Sequence, residues 1–123
     1  MSKSIIKDKS FVFSIRVVKL CKYLIENKKE FVLSKQLLRS GTAVGALVRE
    51  AQNAESTKDF IHKLAIAQKE CDETIYWLEL LKETEYINQI EFEGLQFSAN
   101  ELLKMIRSSI LTMKQKKLIT HIL

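Results

Sequence analysis

STKDFIHKLAIAQKECDETIYWLELL, at residues 56–81, is the longest regular hydrophobic pattern in the chain. Its apolar residues recur every three or four positions, the spacing of one face of an α-helix: Phe60, Leu64, Ala67, Cys71, Ile75, Leu78 and Leu81. Ser56 and Asp59 form an S-x-x-D sequence at its start. We expect the Ser56 side chain to accept a hydrogen bond from a first-turn backbone amide, and the Asp59 carboxylate to interact favourably with the helix dipole. The pattern predicts a helix over about residues 56–84, roughly 42 Å long.

Similar periodicities predict three more helices, at about 8–27, 31–52 and 88–117. The connections are polar and a few residues long, so consecutive helices must be antiparallel neighbours. The chain has no proline and three glycines in 123 residues, which fits few turns and long elements. We therefore predict an all-α fold, an antiparallel up-and-down four-helix bundle, as a single domain over 1–123. The apolar tail after residue 117 either extends the last helix or docks onto another subunit.

Two glycines lie one turn apart in the second predicted helix. Gly41 and Gly45 share one helix face, and each costs about 1 kcal/mol relative to Ala in a helix interior. We expect close packing against another helix backbone to offset this loss of stability. A kink, or a backbone surface that contacts a ligand, is the alternative.

The size of the chain, its cysteines and its apolar segments narrow the possible class of protein. A chain of 14.3 kDa can bury about two-thirds of its surface without metals or disulfides. Cys21 and Cys71 are fifty residues apart with no CxxC motif, so we interpret them as buried free thiols rather than a zinc or redox site. No segment resembles a signal peptide or the roughly 20 apolar residues that span a bilayer, so we predict a cytoplasmic protein with no membrane contact.

No catalytic motif is present in the sequence. The patterns G-x-x-x-x-G-K-[ST], G-x-G-x-x-G and H-E-x-x-H are absent, and His62 and His121 are the two histidines. Asp59 lies one helical turn before His62, but a metal site in a bundle needs a matching motif from a second helix. We predict no enzyme activity, no catalytic residue, no metal and no cofactor.

An aromatic pair, Tyr76 and Trp77, lies in the third predicted helix. Adjacent residues point about 100° apart, so this pair and the Cys71 face cannot share one narrow core face. We expect some of this apolar area to face another subunit. Stacking of nucleic-acid bases on Trp77 is the alternative.

The charge of the chain is strongly segregated. The net charge of +5 is made of +8 over residues 1–49, −8 over residues 50–101 and +5 over residues 102–123. Basic residues align on the first, second and fourth predicted helices and are the candidate nucleic-acid contacts: Arg16, Lys19, Lys22, Lys35, Arg39, Arg49, Lys104, Arg107, Lys114 and Lys117. They could form a nucleic-acid surface, pair with the acidic third helix within or between subunits, or remain a solvated face.

Three motifs together resemble one protein family. The order is R-x-G-T-x-x-G at residues 39–45, S-x-x-D-F-x-x-K-L at 56–64 and K-E-x-x-E-T-x-Y-W-L at 69–78. It resembles the bacterial four-helix-bundle proteins encoded in intervening sequences of 23S rRNA genes. The resemblance implies small bundles that assemble into ring-like homopentamers. It also implies a relation to the accessory variability protein of diversity-generating retroelements, a basic pentamer that binds nucleic acid and a reverse transcriptase.

The resemblance brings no catalytic residues, and the physiological role of this branch is not established. It implies salt bridges within or between subunits at its charged positions: Arg49, Glu50, Asp59, Lys63, Lys69, Glu70 and Glu73. We predict a non-enzymatic homo-oligomer, a pentamer by this resemblance, that binds RNA or DNA through its basic stripes. The alternative is a protein-interaction scaffold whose charge pattern serves ring assembly.

Overall fold

The computed structural model describes residues 2–122, with side chains from residue 5 onward. Four helices account for nearly all of this range: α1 (Ser2–Lys28), α2 (Leu33–Gln52), α3 (Thr57–Glu83) and α4 (Gln89–Ile122). The described residues contain no β-strand. Each helix contacts its neighbours in the order α1, α2, α3, α4 and back to α1. The predicted all-α four-helix bundle is confirmed.

Two helices are longer than the periodicity predicted. Helix α1 begins at Ser2 rather than near residue 8, because no Gly or Pro interrupts its first turns and Ile6 is buried against the core. Helix α4 continues to Ile122 rather than ending near residue 117. The apolar tail therefore extends the helix, and its exposed residues do not pack on the core.

The core runs along the centre of the bundle and receives side chains from all four helices. Its largest fully buried residues include Phe13 and Leu24 of α1, Leu37 of α2, Leu78 of α3 and Leu102 of α4. Burial of this apolar surface is the main source of stability, at about 25 cal/mol per Å².

Close packing of α1 against α2 explains both glycines of α2. A Cβ atom at Gly41 would lie 2.8 Å from Cγ1 of Val17, and one at Gly45 would lie 3.0 Å from Oγ of Ser14. A methyl group at Gly41 would force Val17 to shift, and one at Gly45 would require the Ser14 hydroxyl or the Ser10 carbonyl, 3.2 Å away, to give by a few tenths of an ångström. Both glycines therefore have a packing role.

Side chains cap the N-termini of α2, α3 and α4, the last through Asn88, whose Oδ1 accepts the Glu91 amide at 2.8 Å while Oε1 of Glu91 accepts the Asn88 amide at 3.0 Å. Oγ of Ser56 accepts the Asp59 amide at 3.0 Å, as the S-x-x-D pattern predicted for α3. At α2 the carboxylate of Glu30 accepts the amides of Ser34 at 2.7 Å and Val32 at 3.2 Å. Burial by itself raises the pKa of Glu30, but hydrogen bonds from Ser34, Leu33 and Val32 outweigh it, so the pKa lies below its ordinary value. The sequence did not indicate this cap.

Candidate nucleic-acid interface

Arg39 takes part in an ion-pair network between α2 and α3. Its guanidinium lies 3.1 Å from Oε1 of Glu70 and also pairs with Glu73. Glu73 in turn accepts a hydrogen bond from Nε1 of Trp77 at 2.9 Å, and the Tyr76 ring packs edge-on against Trp77 at 4.9 Å. Arg39 and the indole of Trp77 are thus engaged within the chain, whereas Tyr76 is exposed.

Two further candidate arginines contact neighbouring side chains. Nη1 of Arg16 donates to Oγ of Ser98 at 2.8 Å, and a Cβ at Gly94 would lie 3.1 Å from its Nη2 atom. The guanidinium of Arg49 lies over the Phe11 ring, 4.9 Å from its centroid, in a cation–π contact. Both arginines nevertheless remain exposed.

The candidate lysines of α1 and α2 are exposed and form no ion pair among the described side chains: Lys19, Lys22 and Lys35. Pairing instead involves lysines outside the candidate set. Lys9 contacts Glu101 at 2.9 Å, and Lys63 contacts Glu50 at 3.5 Å. Among the family's charged positions, Glu50 and Lys63 thus pair with each other within this chain, and Glu70 and Glu73 pair with Arg39.

The second half of α4 is the most concentrated basic surface. The α4 basic segment, which we define as residues 104–117, carries five exposed basic side chains: Lys104, Arg107, Lys114, Lys116 and Lys117. No acidic residue follows Glu101 in the sequence. None of the ion pairs found among residues 5–122 includes these five side chains.

The basic stripes of α2 and α4 lie at opposite corners of the bundle. Helices α2 and α4 do not contact each other within the described part of the chain, since each is flanked by α1 and α3. Lys35, Arg39 and Arg49 are therefore separated from the α4 basic segment by a neighbouring helix. A single chain does not unite all three stripes on one face.

An exposed apolar face lies along α1 and α2. Phe11 is 50% exposed, and Ile15, Val18, Ile25 and Leu38 are each exposed by more than a third. The wide apolar pattern of the first helix is thus divided: Cys21 and Leu24 enter the core, whereas Val18 and Ile25 face outward. We define the α1–α2 apolar face as the five exposed residues Phe11, Ile15, Val18, Ile25 and Leu38. The periodicity did not distinguish it from the core, because both faces contribute to one broad stripe.

The described residues show no constellation suited to metal or thiol chemistry. No group of three or more His, Cys, Asp or Glu side chains in this range could hold a metal ion. Burial, reinforced by the charge of Glu30 for Cys21 and of Asp72 for Cys71, raises the pKa of each thiol to about 12. Cys21 and Cys71 donate to the carbonyls of Ser34 and Ala99, each at 3.3 Å. Both thiols are packing residues.

The fold and the charge distribution define a small four-helix bundle in which the α4 basic segment has no ion-pair partner among the described side chains. The sequence profile of the 23S rRNA-intervening sequence proteins matches residues 2–108, and the chain belongs to this family. A crystal structure of a protein with unknown function from the S23 ribosomal protein family of Bacteroides thetaiotaomicron VPI-5482 is similar. It shares 51% identity and a TM-score of 0.88 over 89% of this chain and 98% of that chain. No curated protein matches the chain.

The family match ends before the last turns of α4. Residues 109–122 lie beyond the matched range, although they continue the helix without interruption. This segment contains Lys114, Lys116 and Lys117. No helix in the described range has the length and apolar character needed to cross a membrane.

Proposed function

We propose that this protein is a non-enzymatic, homo-oligomeric helical bundle that binds RNA or DNA through the α4 basic segment. The observation that carries the proposal is the set of five exposed basic side chains without an acidic neighbour after Glu101 or an ion-pair partner among the described residues. Such charges attract phosphates and release condensed counterions, whatever the base sequence. The segment is about 20 Å long at 1.5 Å per residue, or roughly six steps of 3.4 Å along one strand of a duplex.

Self-assembly is supported by the α1–α2 apolar face. Large contiguous apolar patches are uncommon on small monomers and mark interaction sites. Phe11, Ile15 and Val18 are exposed apolar residues spaced one helical turn apart on α1, and the guanidinium of Arg49 lies over the Phe11 ring. The number of five subunits rests on the family resemblance, and the relation to accessory variability proteins stays a prediction.

The experiment compares matched charge reversals in a filter-binding assay with structured RNA. Arg107→Glu removes one exposed positive charge of the α4 basic segment. Lys69→Glu makes the same change at an exposed position of α3, outside the candidate set. We expect Arg107→Glu to weaken binding and to reduce the slope of log K against log salt by about 0.9 for each phosphate that the variant no longer neutralises.

Lys69→Glu should bind RNA as the wild type does. Equal effects of the two substitutions would show that net charge, rather than the α4 basic segment, governs binding. Sedimentation of both variants must give the wild-type mass. Dissociation of either variant would instead assign the substituted residue to a subunit contact, the role that the family resemblance leaves open for Lys69.

The second candidate function is a protein-interaction scaffold, and the exposure of the α1–α2 apolar face favours it. In this case the charge pattern serves assembly and the apolar face binds a partner protein. Val18→Glu would then abolish partner binding or assembly without a change in RNA affinity. The absence of RNA binding below about 10 μM at 50 mM salt would favour the scaffold over the nucleic-acid proposal.

A further inference from the structure

The end of α4 projects past the rest of the bundle. Sγ of Cys71 donates to the carbonyl of Ala99, which sets the register of the antiparallel helices α3 and α4. Thr57 lies 14 residues before Cys71 in α3. Because α4 runs antiparallel, the residue level with Thr57 is about 14 residues after Ala99, at about residue 113. The remaining residues, 114–122, extend about 13 Å beyond α3 at 1.5 Å per residue. Leu118 is 60% exposed and Ile122 is 71% exposed on this projecting segment.

The projecting segment and the first turn of α3 form an open groove with an apolar floor and a basic rim. Ile61, Met113 and Leu118 contribute the apolar surface, and Lys58, Lys114 and Lys117 line the same groove. The three lysines have no ion-pair partner among the described side chains. The chemistry of this groove suits an acidic partner that also presents an apolar side chain.

The opposite end of the same chain is predominantly acidic, with Lys28 of α1 lining the same surface as Glu85 and Glu91. The α3–α4 turn carries exposed acidic residues on both sides: Glu79, Glu83, Glu85, Glu91 and Glu93. Ile90 lies among them and is 81% exposed. Lys82 is the one basic residue between positions 70 and 103 of the sequence, and its ammonium lies 3.1 Å from Glu83.

The two ends cannot neutralise each other within one chain. Helix α3 separates them by 27 residues, or about 40 Å, whereas exposed charges are screened beyond about 8–10 Å at physiological salt. A second copy, displaced along the bundle axis, would bring its acidic turn to the basic groove of the first. Charge complementarity therefore favours a second copy of this chain as the occupant.

We infer that the groove formed by the projecting end of α4 and the start of α3 binds the α3–α4 turn of a second copy, end to end. Lys114 and Lys117 face the Glu91 and Glu93 carboxylates in this contact, and the apolar floor covers Ile90. The contact joins two different surfaces, so repetition produces an open stack rather than a closed pair. It is distinct from any side-by-side assembly through the α1–α2 apolar face and does not depend on nucleic-acid binding.

The test is sedimentation velocity of the full chain at 50 mM and 500 mM salt over a range of protein concentrations. At 50 mM salt we expect the mean mass to rise with concentration to at least twice its value at 500 mM. Lys117→Glu and Glu91→Lys should each remove this rise. Lys69→Glu, an equal charge reversal away from both ends, should leave the salt-dependent rise unchanged, because any subunit contact of Lys69 that the family resemblance implies would be separate from this groove and would alter the mass at both salt concentrations.

Mixing provides the decisive control. In an equimolar mixture of Lys117→Glu and Glu91→Lys, the altered groove of the first variant can meet the altered turn of the second with opposite charges. The unaltered groove and turn can also meet, so the salt-dependent rise in mass should return. Removal of residues 115–123, which are exposed throughout their described part, should abolish the rise and leave the helical circular dichroism per residue unchanged.

Several outcomes would overturn the inference. These are a mass that does not depend on salt, an equal effect in Lys69→Glu, or a mixture that fails to reassociate. A loss of RNA binding in Lys117→Glu with unchanged sedimentation would also overturn it, because the groove would then bind phosphates rather than a second copy. Failure of RNA binding alone would count against the proposed function and leave the end-to-end contact standing.

Discussion

Substitution of Gly41 by alanine should destabilise the protein, although alanine is the better helix former. In an open helix interior Gly→Ala contributes about 1 kcal/mol of stability. At Gly41 the new methyl carbon would lie 2.8 Å from Cγ1, 2.9 Å from Cγ2 and 3.3 Å from Cβ of Val17. Val17 is 0% exposed and β-branched, so it has no free rotamer to adopt.

The clash should outweigh the gain in helix propensity. Overpacking of a buried site costs about 1–3 kcal/mol. The upper part of this range applies because the neighbour is rigid, which leaves a net loss of about 1–2 kcal/mol on Gly41→Ala. Gly94 supplies the matched control, since the one atom near its added Cβ is Nη2 of the exposed Arg16 side chain at 3.1 Å. Arg16 can move aside, so Gly94→Ala should be neutral or stabilising by up to about 1 kcal/mol.

Urea unfolding at fixed protein concentration measures both variants. The difference of about 1–3 kcal/mol corresponds to midpoints separated by about 0.5–1.5 M, for a slope of about 2 kcal/mol per M. In a Val17→Ala background the clash is absent, so Gly41→Ala should no longer destabilise. Equal stability of Gly41→Ala and Gly94→Ala would refute the clash, and so would an unchanged effect of Gly41→Ala in the Val17→Ala background.

Two further predictions concern buried titratable groups. Glu30→Gln should destabilise the protein by about 1–3 kcal/mol near pH 7, measured by urea unfolding, because the charged acceptor of the Val32 and Ser34 amides at the start of α2 is removed. The folded-state pKa of Glu30 lies below its ordinary value of 4.5, so its contribution to the free energy of unfolding is complete above that pH and is lost as the pH falls. Glu30→Gln should therefore lose less stability in acid than the wild type. An equal loss of stability in both proteins would contradict the cap. Burial raises the pKa of both thiols from 9.0 to about 12, so their stability contribution is constant below pH 9 and declines between pH 9 and about 12. Cys71→Ala should reduce this alkaline decline, and rapid reaction of either native thiol with a disulfide reagent at pH 8 would refute the burial.

The helices were predictable from the sequence because periodicity reports burial directly. The α3 pattern from Phe60 to Leu81 and the Ser56 cap are local signals, and the structure contains both. Helix ends were less predictable. Before residue 8 the buried apolar residue that the structure describes is Ile6, and the described residues of α4 after 117 are exposed, so no repeating pattern distinguishes either segment from a frayed end.

The charge pattern was predictable along the chain but not across the bundle. Segregation into basic and acidic blocks is a property of the sequence, whereas the partner of each side chain depends on packing between helices. Arg39 pairs with Glu70, 31 residues away, while Arg107 has no ion-pair partner among the described side chains. Glu30 shows the same limit, because a charged residue in a polar connection gave no sign of burial.

The salt dependence of RNA binding by the wild-type protein tests the central proposal most directly. Structured RNA should bind at 50 mM salt and lose affinity steeply by 200 mM. About four phosphate contacts per subunit correspond to a slope near −3.6 in a plot of log K against log salt. A flat salt dependence, or no binding below about 10 μM at 50 mM salt, would contradict a nucleic-acid surface on α4.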